Sequence, residues 1–300
     1  MNKKSLLADF ALLMVAVVWG SNFVVMKDTL ELITPFMYLS LRFTVSFFIL
    51  VVLFHKRTRQ LKLEEIKAGS IIGFFLFSGF AFQTIGLLST TPGKSGFITG
   101  MNVVIVPFLY FFVTGKFPGI WSIIGGVLAI IGLGFLSITA DFTVNVGDVL
   151  TLISAFMFAG QIVSIGIYAR RYDPVVLTTL QLGITAAASW IVAVIAEPIS
   201  FNVSFDVWGA IIYAVVFCTI GAFLAQNIAQ KFTPSTHAAI ILCLESVFAV
   251  VFSYFFWGEH LTPQMVTGCM LILIGVLITE LQPKLPGLVS KSSKTGFSEE

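Results

Sequence analysis

Runs of about 20 apolar residues recur along the chain, separated by short breaks of Pro, Gly, Asp and basic residues. Ten such runs stand out: Ala8–Met26, Pro35–Phe54, Gly69–Leu88, Ser95–Val113, Trp121–Thr139, Val149–Tyr168, Val175–Ile195, Trp208–Ala229, Ser235–Trp257 and Pro263–Leu281. At about 1.5 Å per residue, a helix of roughly 20 residues crosses the ~30 Å hydrocarbon core of a bilayer. Alternating segments of about ten residues, the mark of an outer-membrane barrel, are missing from the sequence. The pattern therefore predicts an all-α membrane protein with ten transmembrane helices. The first run follows Met-Asn-Lys-Lys and continues without an Ala-x-Ala site, so it reads as a retained helix and not a cleaved leader.

Charge sets the orientation. With the N-terminus inside, the cytoplasmic segments hold Lys3 and Lys4, the cluster Lys56, Arg57, Arg59, Lys62 and Lys67, then Lys116, Arg170, Arg171 and Lys231, and finally Lys284, Lys291 and Lys294. The outer ends hold Lys27 and Lys94, while Arg42 lies within a span. The reverse orientation inverts this bias, against the positive-inside rule. Both termini are thus expected in the cytoplasm. Composition agrees: 57% of residues are hydrophobic and 11% charged, with mean hydropathy +0.99, against roughly 25% charged in soluble domains. Cys218, Cys243 and Cys269 all lie in apolar runs, which argues against a disulfide framework or a zinc site.

The chain also repeats itself. Pro35 to Arg42 aligns with Pro174 to Gln181, Thr91-Pro92 with Thr233-Pro234, and Asn102, Gly115, Gly125 and Gly132 with Glu245, Gly258, Gly268 and Gly275. Each half holds five spans. Five is odd, so the second half is expected to enter from the opposite side as an inverted repeat, the architecture of alternating-access carriers. The expected divisions are residues 1–145 and 146–284, followed by a Ser-, Lys- and Glu-rich tail, 285–300, read as disordered and cytoplasmic. Gly96 with Gly100, and the pairs Gly125/Gly132 and Gly268/Gly275, are read as close helix-packing sites.

Trp19-Gly20-Ser21-Asn22-Phe23 resembles the opening of EamA-type carriers of the drug/metabolite transporter superfamily. Leu244-Glu245-Ser246-Val247-Phe248-Ala249-Val250, with Gly258-Glu259-His260-Leu261-Thr262 and Gly268, resembles that family's penultimate span and its exit. The chain departs from the family's frequent Glu-Pro by carrying Glu245-Ser246, and the matching first-half position is Asn102, followed by Pro107. The resemblance implies two inverted five-helix repeats and the movement of amino acids, other metabolites or drugs.

Polar groups inside a membrane are costly and usually face a cavity or a partner. The first half offers Asn22, Arg42, Gln83 and Asn102; the second offers Gln161, Gln181, Asn227 and Glu245. These sets are expected to line the outer and inner vestibules of one substrate pathway. Glu245, near mid-span with no charge within a turn, is costly to ionise and is the candidate for proton coupling. The competing reading is a structural glutamate holding two helices together. Arg42 keeps its charge and needs an anion, such as a substrate carboxylate, or a snorkelling route to the surface. Trp19, with Asn22 and Phe23 at i+3 and i+4, forms a face suited to a flat substrate or to core packing.

No HExxH, paired membrane aspartates or P-loop is present, which argues against an intramembrane enzyme or an ATP-driven pump. The expectation is a secondary transporter in the cytoplasmic membrane that moves amino-acid-like or drug-like metabolites, with proton coupling as an option and no cofactor. A phosphate- or nucleotide-sugar antiporter, a passive facilitator and a receptor-like membrane protein are the alternatives. The expected partners are a small-molecule substrate and lipid, not nucleic acid, with the chain a monomer or homodimer.

Overall fold

The computed structural model describes residues 3–59, 61–137, 146–199, 204–258, 260 and 262–281. The expected tail, 285–300, lies outside the described residues. Ten long helices are present among the described residues, and no strand: α1 (Lys3–Thr29), α2 (Pro35–Leu53), α3 (Leu63–Leu88), α4 (Pro92–Thr114), α5 (Ile120–Ser137), α6 (Val146–Tyr168), α7 (Pro174–Ala196), α8 (Phe205–Ala229), α9 (Ser235–Trp257) and α10 (Pro263–Leu281). Eight are long and apolar enough to cross a membrane; the apolar cores of α5 and α10 are shorter, Ile120–Gly132 and Val266–Thr279.

Local chemistry explains the boundaries. Prolines stand at the starts of α2, α4 and α7, where a missing N–H costs nothing. Thr91 and Asp173 cap the first turns of α4 and α7 through their side chains. Gly115 and Gly258, a matched pair in the repeat, close α4 and α9 at φ of 68° and 75°, where any side chain is strained.

Helices α4 and α9 are each broken near the middle. Val104 N bonds to Met101 O, and Ser246 N to Cys243 O, so one turn tightens to i→i−3 bonding in each helix. Helix α8 loosens instead. Its stretch Ala214–Gly221 is π-helical, and Thr219 Oγ1 donates to Ala214 O five residues back.

Three long-range pairings organise the bundle, and each runs antiparallel. Helix α2 meets α7 through Phe36 and Met37 N–H groups on the Glu197 carboxylate, then Trp190 Nε1 on Thr44 Oγ1, then Phe47 against Gly183. Broken helices α4 and α9 meet through Ser246 Oγ on Gly96 O at 2.8 Å and Cys243 Sγ on Gly100 O at 3.8 Å. In α5 and α10, a Cβ added to Gly125 or to Gly132 would lie 2.6 Å from the carbonyl oxygen of Gly275 or Gly268. Lipid supplies no hydrophobic drive between helices, so such backbone approach at small residues provides the contact energy. The glycine pairs thus have the packing role the sequence suggests.

Candidate functional site

A narrow cavity lies where helices from both halves converge. Seven of the nine residues singled out from sequence line it: Trp19, Asn22, Arg42, Gln83, Asn102, Gln161 and Glu245. Side chains of both halves therefore line one shared cavity. Gln181 sits behind it, buried, with its Oε1 3.5 Å from Gln161 Nε2. Asn227 does not reach the cavity lining; its side chain donates to Phe223 O one turn back on α8. Its neighbour Gln226 makes the contact instead, exchanging bonds with Gln161 at 3.1 and 3.3 Å.

The breaks in α4 and α9 position two lining groups. Asn102 follows the tightened turn at Met101, and Glu245 follows that at Cys243, so both polar side chains enter the cavity beside irregular backbone. Irregular backbone at membrane depth is tolerated where it lines a cavity. Glu245 is buried and has no salt bridge among the described residues. Asn22 Oδ1 and Asn102 Oδ1 are buried without a hydrogen-bond partner among the described residues.

Arg42 is fully buried, which excludes the snorkelling route. Its Nε donates to Thr219 Oγ1 at 2.7 Å and Nη2 to Cys218 O at 3.3 Å. The guanidinium lies over the adjoining rings of Phe80 and Phe43, 4.9 and 5.3 Å from their centroids. The π-helical turn of α8 frees the Cys218 carbonyl for this contact and for Trp19 Nε1 at 2.9 Å. A fixed cation whose Nη1 has no hydrogen-bond partner among the described residues is thereby held at the wall of a low-dielectric chamber.

Aromatic rings complete the walls: Trp19 and Phe23 from α1, Phe80 from α3, Phe158 from α6 and Phe223 from α8. Trp19 lies 5.2 Å from Phe223, and Phe80 lies 5.2 Å from Phe158. The sequence reading missed Phe80, Phe158, Phe223, Thr219 and Gln226. A signal for most of them exists. The pattern aromatic-x-x-amide occurs in Trp19/Asn22, Phe80/Gln83, Phe158/Gln161 and Phe223/Gln226, and the repeat offsets carry the first pair onto the third and the second onto the fourth. Residues at i and i+3 share a helix face, so each amide brings its ring to the same space.

A comparison with family models matches the EamA-like transporter family over residues 6–138 and again over 145–281. An uncharacterized transporter of Archaeoglobus fulgidus is 35% identical over 285 residues, covering 93% of this chain and 87% of that one. The uncharacterized transporter YvbV of Bacillus subtilis is 23% identical, covering 94% and 93%. A solved crystal structure with 17% identity shares the fold at a TM-score of 0.77, over 92% of this chain and 99% of its own.

Proposed function

Because the chain belongs to the EamA-like transporter family, and so is a multi-pass membrane protein with a transport role, we propose that the shared cavity is the substrate site of an alternating-access carrier in the cytoplasmic membrane. The observation that carries this reading is the cavity itself, where polar side chains from both halves meet beside the breaks of two antiparallel helices. In this reading all ten helices cross the bilayer as two inverted repeats, residues 1–145 and 146–284, with both termini in the cytoplasm. Matched helices related by an axis along the membrane normal run parallel to each other. The antiparallel packing of α2 on α7, α4 on α9 and α5 on α10 instead supports an axis in the membrane plane. Helix α5, 18 residues long, spans about 27 Å.

The substrate class follows from the walls. Rings on several sides favour a flat or apolar body, Arg42 supplies an anion contact, and Glu245 supplies a carboxylate toward the other half. Arg42 is the only cationic residue in the lining, which favours a singly charged or zwitterionic metabolite over a phosphate ester. Glu245 is assigned the proton-coupling role, because it lies at the cavity wall without a fixed counter-ion. A panel of amino-acid-like and drug-like compounds in proteoliposomes, with and without an imposed pH gradient, tests the reading. Saturable flux that mutation of the cavity removes is expected; absence of flux for every class refutes it.

A further inference from the structure

Two aspartates outside the cavity occupy matched places. Asp9, in an early turn of α1, accepts from Thr233 Oγ1 at 2.7 Å, just ahead of α9. Asp148, at the start of α6, accepts from Thr90 Oγ1 at 3.0 Å, just ahead of α4, and from Lys94 Nζ at 2.6 Å. The repeat that aligns Pro35 with Pro174 also aligns Asp9 with Asp148, and the loops before α4 and α9 carry Thr90-Thr91 and Thr233. Each contact ties the first helix of one half to the start of the broken helix of the other. Asp9, Thr233, Asp148 and Thr90 are buried, Lys94 is partly exposed, and none of the five lines the cavity. Asp9 lies about 15 Å along α1 from Trp19, and Asp148 a similar distance along α6 from Phe158.

The stretch between each contact and each break is short and regular: Ser235–Leu242 runs up to Cys243, and Pro92–Gly100 up to Met101. Single turns of i→i−3 bonding inside a helix mark hinge positions. A carboxylate contact away from water is strong, yet it is local, a few side chains at one helix end. The glycine-packed pair α5 and α10, by contrast, offers no such single release point.

We infer that Asp9–Thr233 is the inner latch and Asp148–Thr90–Lys94 the outer latch of the transport cycle. Release of Asp9 lets Ser235–Leu242 turn about Cys243 and opens the cavity to the cytoplasm. Release of Asp148 lets Pro92–Gly100 turn about Met101 and opens it to the outside. The assignment of sides rests on the orientation and pathway proposed above. Further ties part in the same movements: Ser235 Oγ to Ile162 O at 3.4 Å for the inner segment, and Lys27 Nζ to Thr90 O at 3.1 Å, Gln83 Nε2 to Thr99 Oγ1 at 3.0 Å and Ser246 Oγ to Gly96 O at 2.8 Å for the outer one.

The test uses Ile162→Cys, a cavity-wall position, in the full chain with Cys218, Cys243 and Cys269 replaced by alanine. A membrane-impermeant thiol reagent is applied from outside to right-side-out vesicles and from inside to inverted ones. Asp148→Ala is expected to raise the outside rate and lower the inside rate, and Asp9→Ala to do the reverse, each by roughly tenfold from the loss of a charged hydrogen bond. Thr90→Val and Thr233→Val, which keep both carboxylates, are expected to reproduce the mirrored pattern with smaller amplitude and to serve if the alanine variants fail to fold. Rates that move in the same direction from both sides, or do not move in variants with the parent's melting temperature, overturn the latches. A cysteine inert from both sides in the parent overturns the pathway itself, and the latches with it.

Discussion

Replacing Arg42 by Met is expected to leave the fold intact while abolishing transport. The guanidinium gains two hydrogen bonds from a charged donor, about 1.5–3 kcal/mol each, and ring contacts on Phe80 and Phe43 of about 0.5–2 kcal/mol each. Against this stands the desolvation of a permanent cation, several kcal/mol after relaxation, plus the two N–H groups of Nη1, buried with no acceptor among the described residues. The opposing sums nearly cancel. Removal leaves both the carbonyl and the hydroxyl with a hydrogen-bond partner. Thr219 Oγ1 still donates to Ala214 O, and Cys218 O still accepts from Trp19 Nε1. Methionine fills a similar volume without charge, so the stability of the purified protein in detergent should change by less than about 2 kcal/mol, with either sign. Flux of a substrate bearing an anionic group should fall by about 30-fold or more, the usual effect of removing one partner of a desolvated charge pair. Thermal unfolding and proteoliposome uptake measure the two quantities separately. A destabilisation above about 4 kcal/mol with transport per folded molecule unchanged would mean that Arg42 is a structural cation, and the reasoning fails.

Other expectations follow from single contacts. Glu245→Gln should abolish flux driven by a pH gradient while substrate exchange without a gradient continues; equal gradient-driven flux in both proteins removes the coupling role. Gly132→Ala forces a Cβ against the Gly268 carbonyl and Ile272 N and should cost about 1–3 kcal/mol in thermal unfolding. Gly134→Ala, with nothing within 4 Å of its Cβ, should instead stabilise α5 by roughly 0.5–1 kcal/mol. Glu197→Ala removes the carboxylate that accepts from Phe36 N at 2.9 Å and Met37 N at 3.0 Å, leaving the first turn of α2 without that cap at a cost of about 1 kcal/mol.

The all-helical membrane class and most of the polar groups that meet at the cavity were legible in the sequence because lipid imposes strict rules. A polar side chain in a span must find a cavity or a partner, and seven of the nine found the same one. Asn227 misled because adjacent amides on a helix point about 100° apart, and periodicity alone does not tell which faces inward; only the repeat, which pairs Gln83 with Gln226, separates them. The phenylalanines lining the cavity were hidden among 31 in the chain. The π-helical turn of α8 was not legible, because it depends on Arg42 and Trp19 drawing on one carbonyl across the bundle. The break in α4 has local signals, Gly100 beside Met101 and Pro107, whose missing N–H deprives the Val103 carbonyl of its donor; the break in α9 at Cys243 has no Gly or Pro beside it.

The account rests on two five-helix halves lying antiparallel in the bilayer around a shared passage. Single cysteines at Leu32, Thr58, Arg171 and Ile199, probed with an impermeant thiol reagent from each side, test it most directly. The Arg57–Asp173 ion pair at 3.2 Å brings the loops after α2 and α6 to one end of the bundle, and Glu197 against Phe36 marks the other. Thr58 and Arg171 should therefore react only from the cytoplasm, and Leu32 and Ile199 only from outside. Thr58 and Arg171 reacting from opposite sides would mean that the halves do not cross as described, and the carrier geometry built on them would be lost.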